Sequence, residues 1–519
     1  MKQINQIKLD IGYTKKDIAD YIAKKYKSSV DIKDITILKE SIDARKSVQY
    51  VLNIAVNFKK LNSYTKNLPD VQIDNSGIVV EECSSPFQPV IVGFGPSGMF
   101  CALALARMGL KPIILEQGKR VDERIKDVEN FWKNGVLNES SNVHYGEGGA
   151  GTFSDGKLNT NAHNIYCKMV IDEFIRYGAP EEIGYKSKPH IGTDKLRDVV
   201  KNIREEILRL GGQVLFNSQF IDFTLQHNKI TKIVYANLID GKHHTIKTDR
   251  LILAIGHSHL DTFKLLKEKG LNINTKPFAM GVRIEHPQRL INLSQYGMLD
   301  DRLPSADYKL AVHLPTGRSV FTFCMCPGGQ VVASSSEKDT IVTNGMSNFA
   351  RNTPSANSAI LVNVTPEDYY KGDVLDGFYF QRHYERQCFI LGGQNYHAPA
   401  QSVSEFLTGK AKDLVSSYRP GITLCDISKG LPDFVTTSIK EALPIFSTKI
   451  KNFLTDAILI AIESRSSCPV TLTRLENYHS TAIHGIYPIG EGAGYAGGII
   501  TSAVDGLKCA LNIQKELIK

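Results

Sequence analysis

Three glycines at fixed spacing, Gly93, Gly95 and Gly98, mark the stretch of sequence that points most directly to chemistry. A short apolar run beginning at Val90 precedes them and an Ala/Leu-rich run follows, which predicts a strand, a tight turn and a helix. In such a turn the backbone can approach a pyrophosphate, and the helix N-terminus offers unpaired N–H groups to the phosphates. The pattern therefore indicates binding of a dinucleotide.

A carboxylate at the end of the next apolar run supports this interpretation. Glu116 lies 18 residues beyond Gly98, where an acid can accept hydrogen bonds from ribose hydroxyls. The order strand, glycine turn, helix, strand and acid argues against glycines that serve structure alone. We predict that Pro96, Ser97 and Gln117 contact the same nucleotide.

A second glycine-rich stretch runs from His144 to Leu158 and carries five glycines between Gly146 and Gly156. Main chain without side chains can pass close to a flat ligand, although a flexible connector would have the same composition. We predict cofactor contacts at Gly148 and Gly149 and take Lys157 and His144 as catalytic candidates. Arg124, on a preceding charged helix, is interpreted either as a phosphate partner or as an ordinary surface charge.

A third glycine-rich stretch distinguishes between cofactors. A strand-like run from Ile486 to Ile489 leads into Gly490-Glu491-Gly492, and further glycines precede a helix. An acid there can bind the ribityl or ribose part of a flavin nucleotide, and the helix N-terminus can face the flavin edge that becomes negative on reduction. Nicotinamide alone needs no such element, so FAD is the predicted cofactor. The expected contacts are Gly490, Glu491, Gly497, Gly498 and Ile499, together with Gly256 after another buried strand.

Several further residues could act on a substrate. Arg283, Arg465 and Arg474 are candidates for binding an anionic substrate, and His479 is a second candidate for proton transfer. Cys324 and Cys326 would point to one face of a strand and are interpreted either as buried thiols or as a redox or substrate-contact pair. His257 and His259 have no further ligand cluster near them in sequence, so no metal site is expected.

The order of these elements predicts an α/β protein with some α+β parts. We expect a Rossmann-type FAD-binding domain that is discontinuous, an inserted substrate domain with a mixed sheet, and a small N-terminal βαββ-type domain. A single long helix is expected from Tyr369 to Gln387. The predicted segments are 1–83 (N-terminal domain, its linker within 61–89), 86–160, 188–274 and 471–519 (FAD-binding domain) and 275–470 (substrate domain).

Composition narrows the class of protein. The chain has 519 residues, 42% hydrophobic and 22% charged, and a formal net charge of +8, which is mild for this length. A nucleic-acid partner is therefore not expected, and long apolar runs that would predict a membrane span are missing from the sequence. Nine scattered cysteines without a CxxC pair and an N-terminal region without an apolar signal core predict a cytoplasmic protein with reduced thiols.

Several of these segments also resemble known flavoproteins. The turns around Val90–Glu116, 248–256 and 489–506 resemble the FAD-contacting segments of p-hydroxybenzoate-hydroxylase-like or glutathione-reductase-type flavoproteins. The stretches FWKNGVLNESSNVHYGEGGAGTFSDGKL, HIGTDKL, FAMGVRIEHPQ, FCMCPGG, TNGMS and YPIGEGAGYAGGI resemble the bacterial FAD-dependent dehydrogenase family. The resemblance implies bound FAD and this fold but assigns no substrate. It departs from the broader flavoprotein pattern at Glu491, where Asp is commoner.

Three functions are compatible with the sequence. The first is a FAD-dependent dehydrogenase or reductase that transfers hydride through a non-covalently bound flavin to or from a small molecule. NAD(P)H is a candidate donor that would come directly to the flavin, since no second strand–GxGxxG–helix unit is present. The second is a flavin-dependent enzyme that modifies nucleic acid such as tRNA, and the third is a non-catalytic FAD-binding protein. The substrate, the oligomeric state and the role of the N-terminal domain are open.

Overall fold

The computed structural model describes residues 1–73, 77–159, 164–413 and 415–518. Part of the predicted linker, residues 74–76, and positions 160, 414 and 519 of the predicted segments lie outside the described residues.

The strands of the described residues range from three to ten residues in length. In chain order they span Lys2–Leu9 (β1), Ile35–Asp43 (β2), Gln49–Val56 (β3), Val90–Val92 (β4), Ile113–Leu115 (β5), Gln213–Leu215 (β6), Ser218–Gln226 (β7), Lys229–Asn237 (β8), His243–Lys247 (β9), Leu251–Leu253 (β10), Ile273–Thr275 (β11), Phe278–Pro287 (β12), Ala311–His313 (β13), Ser319–Cys326 (β14), Gln330–Ala333 (β15), Thr343–Met346 (β16), Ser355–Val364 (β17), Ala398–Ser402 (β18), Ile422–Leu424 (β19), Ile458–Glu463 (β20), Val470–Leu472 (β21) and Ile486–Pro488 (β22).

The α-helices of the same residues range from one turn to more than five turns. They span Lys15–Tyr26 (α1), Pro96–Arg107 (α2), Val121–Asn134 (α3), Ile165–Arg176 (α4), Thr193–Arg209 (α5), Leu260–Glu268 (α6), Gln288–Tyr296 (α7), Pro366–Tyr369 (α8), Asp376–Leu391 (α9), Val403–Thr408 (α10), Asp433–Lys449 (α11) and Ile499–Ile518 (α12). Among the described residues, no helix combines the length and the apolar character needed to cross a lipid bilayer.

A parallel five-stranded sheet lies at the centre, with strand order β22-β10-β4-β5-β6. Helices α2, α5 and α12 bury one face of this sheet, while the β7-β8-β9 meander and α6 cover the other. Strands enclosed on both faces are apolar throughout, which explains the short runs Val90–Val92 and Ile113–Leu115. The protein is thus an α/β protein with a Rossmann-type sheet, as the sequence predicts.

Two glycines allow α2 to lie unusually close to its neighbours. A Cβ at Gly98 would stand 2.1 Å from the carbonyl oxygen of Gly93, and a Cβ at Gly506 would stand 2.0 Å from that of Ser97. Because real Cβ atoms do not approach so closely, any larger residue would push α2 away from its turn or from α12. These contacts fix the N-terminus of α2 at the carboxyl edge of the sheet.

The second large sheet is mixed and has seven strands, in the order β13-β14-β17-β12-β20-β18-β19. Its core includes Val282, Ile360 and Leu459 and packs against α11 through residues such as Ile439 and Phe446. This sheet forms the region that the sequence assigns to a substrate domain, and its strands β14 and β20 carry residues to the site described below.

The N-terminal residues form a three-stranded antiparallel sheet, β1-β3-β2, with α1 packed on one face. Thr14 and Asp17 form a reciprocal capping box at the start of α1, and Ile18 and Ile22 face the sheet. The predicted βαββ order is therefore observed. The first strand begins at Lys2.

Two helices differ from the sequence-based expectation. The single helix predicted from Tyr369 to Gln387 is instead two helices, α8 and α9, separated by a segment in which Gly372 has a φ of +119°. Helix α4, which packs against α12, was not predicted, although Asn164 caps it well. In both cases the sequence feature that marks the helix boundary is a turn or cap residue, whereas the prediction relied on the periodicity of apolar residues.

Arg124 serves neither of the two roles expected from the sequence. Its side chain is fully buried, and the guanidinium donates hydrogen bonds to the carbonyl oxygens of Asn142, Val143, Glu147 and Gly149 at 2.7–2.9 Å. A guanidinium has five N–H donors in a fixed fork, which suits it to bind several carbonyls at once. Arg124 therefore holds the glycine-rich stretch 142–149 in shape, and it is neither a surface charge nor free to bind phosphate.

Replacing Arg124 with Met is expected to lower the free energy of unfolding by about 3–5 kcal/mol, because four buried carbonyls lose a charged donor. The single tryptophan, Trp132, reports the change through fluorescence during urea unfolding. Lys126→Met, at an exposed position of the same helix, is the control and is expected to stay within about 0.5 kcal/mol. A loss below about 1 kcal/mol for Arg124→Met would contradict this role of the arginine.

Candidate functional site

The carboxyl ends of β4, β5, β10 and β22 open onto a cavity of about 400 Å³ that also contacts the seven-stranded sheet. Ligands of open α/β sheets bind at this edge. Three glycine-rich segments that are far apart in the sequence meet there. The predicted site residues that line the cavity are Gly93, Gly95, Pro96, Ser97, Glu116, Gln117, His144, Gly149, Lys157, Gly256, Arg465, Gly490, Glu491, Gly497, Gly498 and Ile499.

Two predicted contacts, Gly98 and Gly148, lie behind this lining. Gly98 serves the close packing of α2 described above. A Cβ at Gly148 would stand 2.1 Å from Thr152 Oγ1, so this glycine permits the tight loop that follows. Both glycines therefore support the cavity wall from behind and do not face the cavity.

The N-terminus of α2 faces the cavity. Its N-cap, Gly95, has no side chain to accept the first N–H groups. The buried hydroxyl of Ser97, the second residue of α2, has no hydrogen-bond partner among the residues that the structure describes. Buried polar groups are normally paired, so the helix end and this hydroxyl fit a phosphate ligand.

Glu116 is held in a defined orientation at the end of β5. Its carboxylate accepts hydrogen bonds from the backbone N–H groups of Phe94, Gly118 and Gly146 at 2.9–3.0 Å. A carboxylate can accept about four hydrogen bonds, so one acceptor position is left toward the cavity. This arrangement fits a ribose hydroxyl.

Glu491 and His257 form a close pair at the segment that precedes α12. The Glu491 Oε1 atom lies 3.5 Å from His257 Nδ1. Burial raises the pKa of Glu491 to about 8 and lowers that of His257 to about 4. At neutral pH both groups are then neutral, and the protonated carboxyl of Glu491 can donate a hydrogen bond into the cavity.

Lys157 lies at the side of the cavity that the seven-stranded sheet forms. Its Nζ atom is 3.1 Å from Asp155 Oδ2 and 4.0 Å from Cys326 Sγ. Burial opposes its charge, but the Asp155 carboxylate together with Cys326 and Cys324 more than compensates, so the pKa of Lys157 is raised. Lys157 is therefore a fixed cation at the cavity wall.

His144 occupies the same wall between two hydroxyl groups. Its Nδ1 lies 3.0 Å from Ser258 Oγ and its Nε2 lies 2.9 Å from Ser334 Oγ. Burial and the nearby Arg465 lower the pKa of His144 well below its usual value. The imidazole is thus neutral, and it can pass a proton only through its hydroxyl partners.

Each of the three arginines proposed from the sequence as anion-binding groups is paired with a carboxylate, and for two of them the position also contradicts that prediction. Arg283 is buried against Glu463 at 2.5 Å, and Arg474 is paired with Asp505 at 2.7 Å; neither lines the cavity. Arg465 does line it, but its Nη2 is 2.7 Å from Glu385. His479, the second proton-transfer candidate, is paired with Glu516 and is not part of the lining.

Sequence reasoning missed several polar lining residues. Glu463 ends the buried strand β20 much as Glu116 comes directly after β5, so the same signal could have identified it. Burial raises the pKa of Glu463 to about 7, although Arg283 opposes this change. The other missed polar residues of the lining include Asn159, Asn344 and Ser466.

Comparison with known proteins agrees with this geometry. Residues 277–466 match the family described as FAD-dependent protein, C-terminal domain-like, and residues 1–59 match a domain of unknown function (DUF8436). An uncharacterized protein of Clostridium beijerinckii is 46% identical over 528 aligned positions, which cover 98% of each chain.

Similar solved structures are more distant. They include the glycerol-3-phosphate dehydrogenase of Bacillus halodurans in complex with FAD (11% identity, TM-score 0.36, covering 82% of this chain and 65% of that one). A geranylgeranyl bacteriochlorophyll reductase-like protein of Thermoplasma acidophilum is 11% identical with a TM-score of 0.39 and covers 84% and 79% of the two chains.

The matched region 277–466 contains the seven-stranded sheet that completes the cavity, and the identity to the Clostridium protein extends over nearly the whole chain. The chain therefore belongs to the same family as that protein, a family of FAD-dependent proteins.

Proposed function

We propose that this flavoprotein is an oxidoreductase that transfers a hydride between non-covalently bound FAD and a small-molecule substrate, with NAD(P)H as the electron donor. One observation carries the proposal. A single cavity combines the three glycine-rich segments, which suit a flavin nucleotide, with a charged wall from the seven-stranded sheet that can bind a reactant. A purely FAD-storing protein would need no such wall.

The residues at the sheet edge are assigned to holding the nucleotide. The N-terminus of α2 and Ser97 would bind the pyrophosphate, Glu116 the ribose, and Glu491 the ribityl chain. FAD, when bound, supplies the hydride chemistry, while the protein supplies position and electrostatics. The N-terminus of α12 faces the same cavity, where its partial positive charge favours negative charge.

Lys157 is assigned to the reactant. Its ammonium group is charged, partly exposed to the cavity and anchored by Asp155. Such a group stabilises negative charge that develops on a bound substrate, and it costs no reorganisation because the ion pair already fixes its position. Neutral His144 and its partner Ser258 also line the cavity and can relay a proton without carrying charge, while Ser334, the other partner of His144, is buried.

The direct test of the function is anaerobic mixing of the purified yellow protein with NADH or NADPH, followed by a screen of electron acceptors. Bleaching of the flavin absorbance and its recovery with an acceptor are expected. A flavin that neither nucleotide reduces would overturn the assignment of the donor. If none of the acceptors in the screen reoxidises the reduced flavin, the proposed dehydrogenase or reductase activity is contradicted.

Gly95→Val tests the assignment of the phosphate turn. A Cβ at Gly95 would meet only Gly149 Cα, at 3.8 Å, so the protein itself has room for the new side chain. The variant should fold normally but lose FAD, because the valine occupies the space of the pyrophosphate. Absorbance near 450 nm and circular dichroism measure the two outcomes, and a folded protein that stays yellow would contradict the assignment.

Lys157→Ala tests the cationic wall. Loss of a preorganised charge is expected to slow flavin reduction or reoxidation by about ten-fold or more while FAD remains bound. Stopped-flow absorbance measures both steps. Lys201→Ala, which removes a half-exposed lysine on α5, is the matched control and should leave both rates unchanged, whereas equal rates for the two variants would exclude Lys157 from the reaction.

A further inference from the structure

A bulge in β14 brings two cysteines to the substrate side of the cavity. The pairing of β14 with β17 shifts between Phe323 and Cys326, and Cys324 within the bulge has a φ of +44°. The regular alternation of side chains is interrupted there, so the prediction that both thiols share one strand face does not hold. Cys324 is half-buried and lines the cavity, while Cys326 is fully buried behind it.

Two cations surround this pair. Cys326 Sγ lies 3.5 Å from Arg283 Nη2 and 4.0 Å from Lys157 Nζ, and its thiol donates to the carbonyl oxygen of Cys324 at 3.2 Å. Glu463 pairs with Arg283, and Asp155 pairs with both Lys157 and Arg351. Three cations thus share two carboxylates, which leaves positive charge unbalanced beside the thiols. A thiolate is stabilised by neighbouring cations, so this site favours one negative charge shared by two sulfurs.

The ionisation of the pair agrees with its geometry. The neighbouring Cys326 thiol, followed by Lys157 and Arg283, lowers the pKa of Cys324, and the closeness of Cys324 raises the pKa of Cys326 well above its usual value. The pair thus loses its first proton easily and its second with difficulty. In contrast, burial raises the pKa of Cys83 and of Cys425, which are also half-buried.

We propose that Cys324 and Cys326 form a redox-active dithiol, with Cys324 as the nucleophile and Cys326 as the resolving thiol, and that the substrate of this cavity is a disulfide. Cys324 meets the cavity and Cys326 does not, which assigns the two roles. The exposed ring of Phe323 lines the cavity next to the nucleophile and offers an apolar contact to the organic part of the substrate.

The two sulfurs can reach each other. Two residues of extended chain span at most about 7 Å between Cα atoms, and the left-handed conformation of Cys324 shortens that span. Disulfides occur at Cα separations up to about 7 Å. A disulfide between positions 324 and 326 is therefore compatible with the bulged backbone.

The reaction balances as two thiol–disulfide exchanges. The Cys324 thiolate attacks one sulfur of the substrate, which forms a mixed disulfide and releases the first substrate thiolate. That thiolate takes the proton of Cys326, and the Cys326 thiolate then attacks Cys324 Sγ and releases the second thiolate, which takes a proton from solvent. Two electrons have passed from the dithiol to the substrate, and their replacement by reduced flavin rests on the proposed function.

The first experiment measures alkylation of the FAD-bound protein by iodoacetamide near pH 6, with the labelled cysteines identified by mass spectrometry. Cys324 is expected to react about five-fold faster than Cys83 and Cys425, or more, because its larger thiolate fraction outweighs its lower intrinsic nucleophilicity. In Lys157→Met the pH profile of this labelling should move to higher pH. Equal labelling of all three cysteines would overturn the proposal.

The second experiment uses hydroxyethyl disulfide as the probe. The native protein should lose two hydrogens within the peptide that contains Cys324 and Cys326, and Cys326→Ser should instead retain a mercaptoethanol adduct on Cys324. A native protein that forms neither disulfide nor adduct would overturn the proposal even if the variant fails to fold. Neither experiment requires NAD(P)H, so failure of the dithiol and failure of the proposed flavin reduction are distinguishable.

Discussion

The buried carboxylate of Asp155 joins the glycine-rich loop to the segment between β16 and β17, and the charge on the cavity wall depends on that contact. It binds Arg351 at 2.5 Å and the hydroxyl of Ser347, and it is 3.1 Å from Lys157. Burial opposes its ionisation, but Lys157 and Arg351 lower the pKa of Asp155 below its usual value. A carboxylate shielded from water is stable only with such partners. The charge on the cavity wall is therefore fixed by the same contact that holds its two sides together.

The parallel sheet and the nucleotide-facing segments could be predicted because their signals are local. Gly93, Gly95 and Gly98 lie within six positions of each other, and a short apolar strand ends at Glu116. Each of these segments specifies its own turn, and the topology of a parallel sheet then brings the carboxyl ends of its strands to one edge. The order of elements along the chain was enough to infer that distant glycines would meet.

The substrate side could not be predicted in the same way because its residues are defined by distant partners. Arg283 looks like a free cation in sequence, but its carboxylate, Glu463, lies 180 positions away. The guanidinium of Arg124 donates its hydrogen bonds to four backbone carbonyls. Every residue has a backbone carbonyl, so the sequence does not mark these four as partners. The bulge at Cys324 depends on how β14 pairs with β17, so a single strand read alone predicts the wrong side-chain direction.

The position of helix α12 and strand β22 at the end of the sequence determines when the FAD-binding sheet can be completed during synthesis. Both are contributed by residues 486–518, yet β22 pairs with β10 and α12 packs against α2. During synthesis, a nascent chain that has emerged only as far as α11 already contains the first phosphate turn but lacks one edge of the sheet and one wall of the cavity. Because α2 is apolar on nearly every side, its uncovered face would be exposed to water in that interval. The nucleotide site and the burial of this helix are then completed together, late in synthesis, when residues 486–518 have emerged.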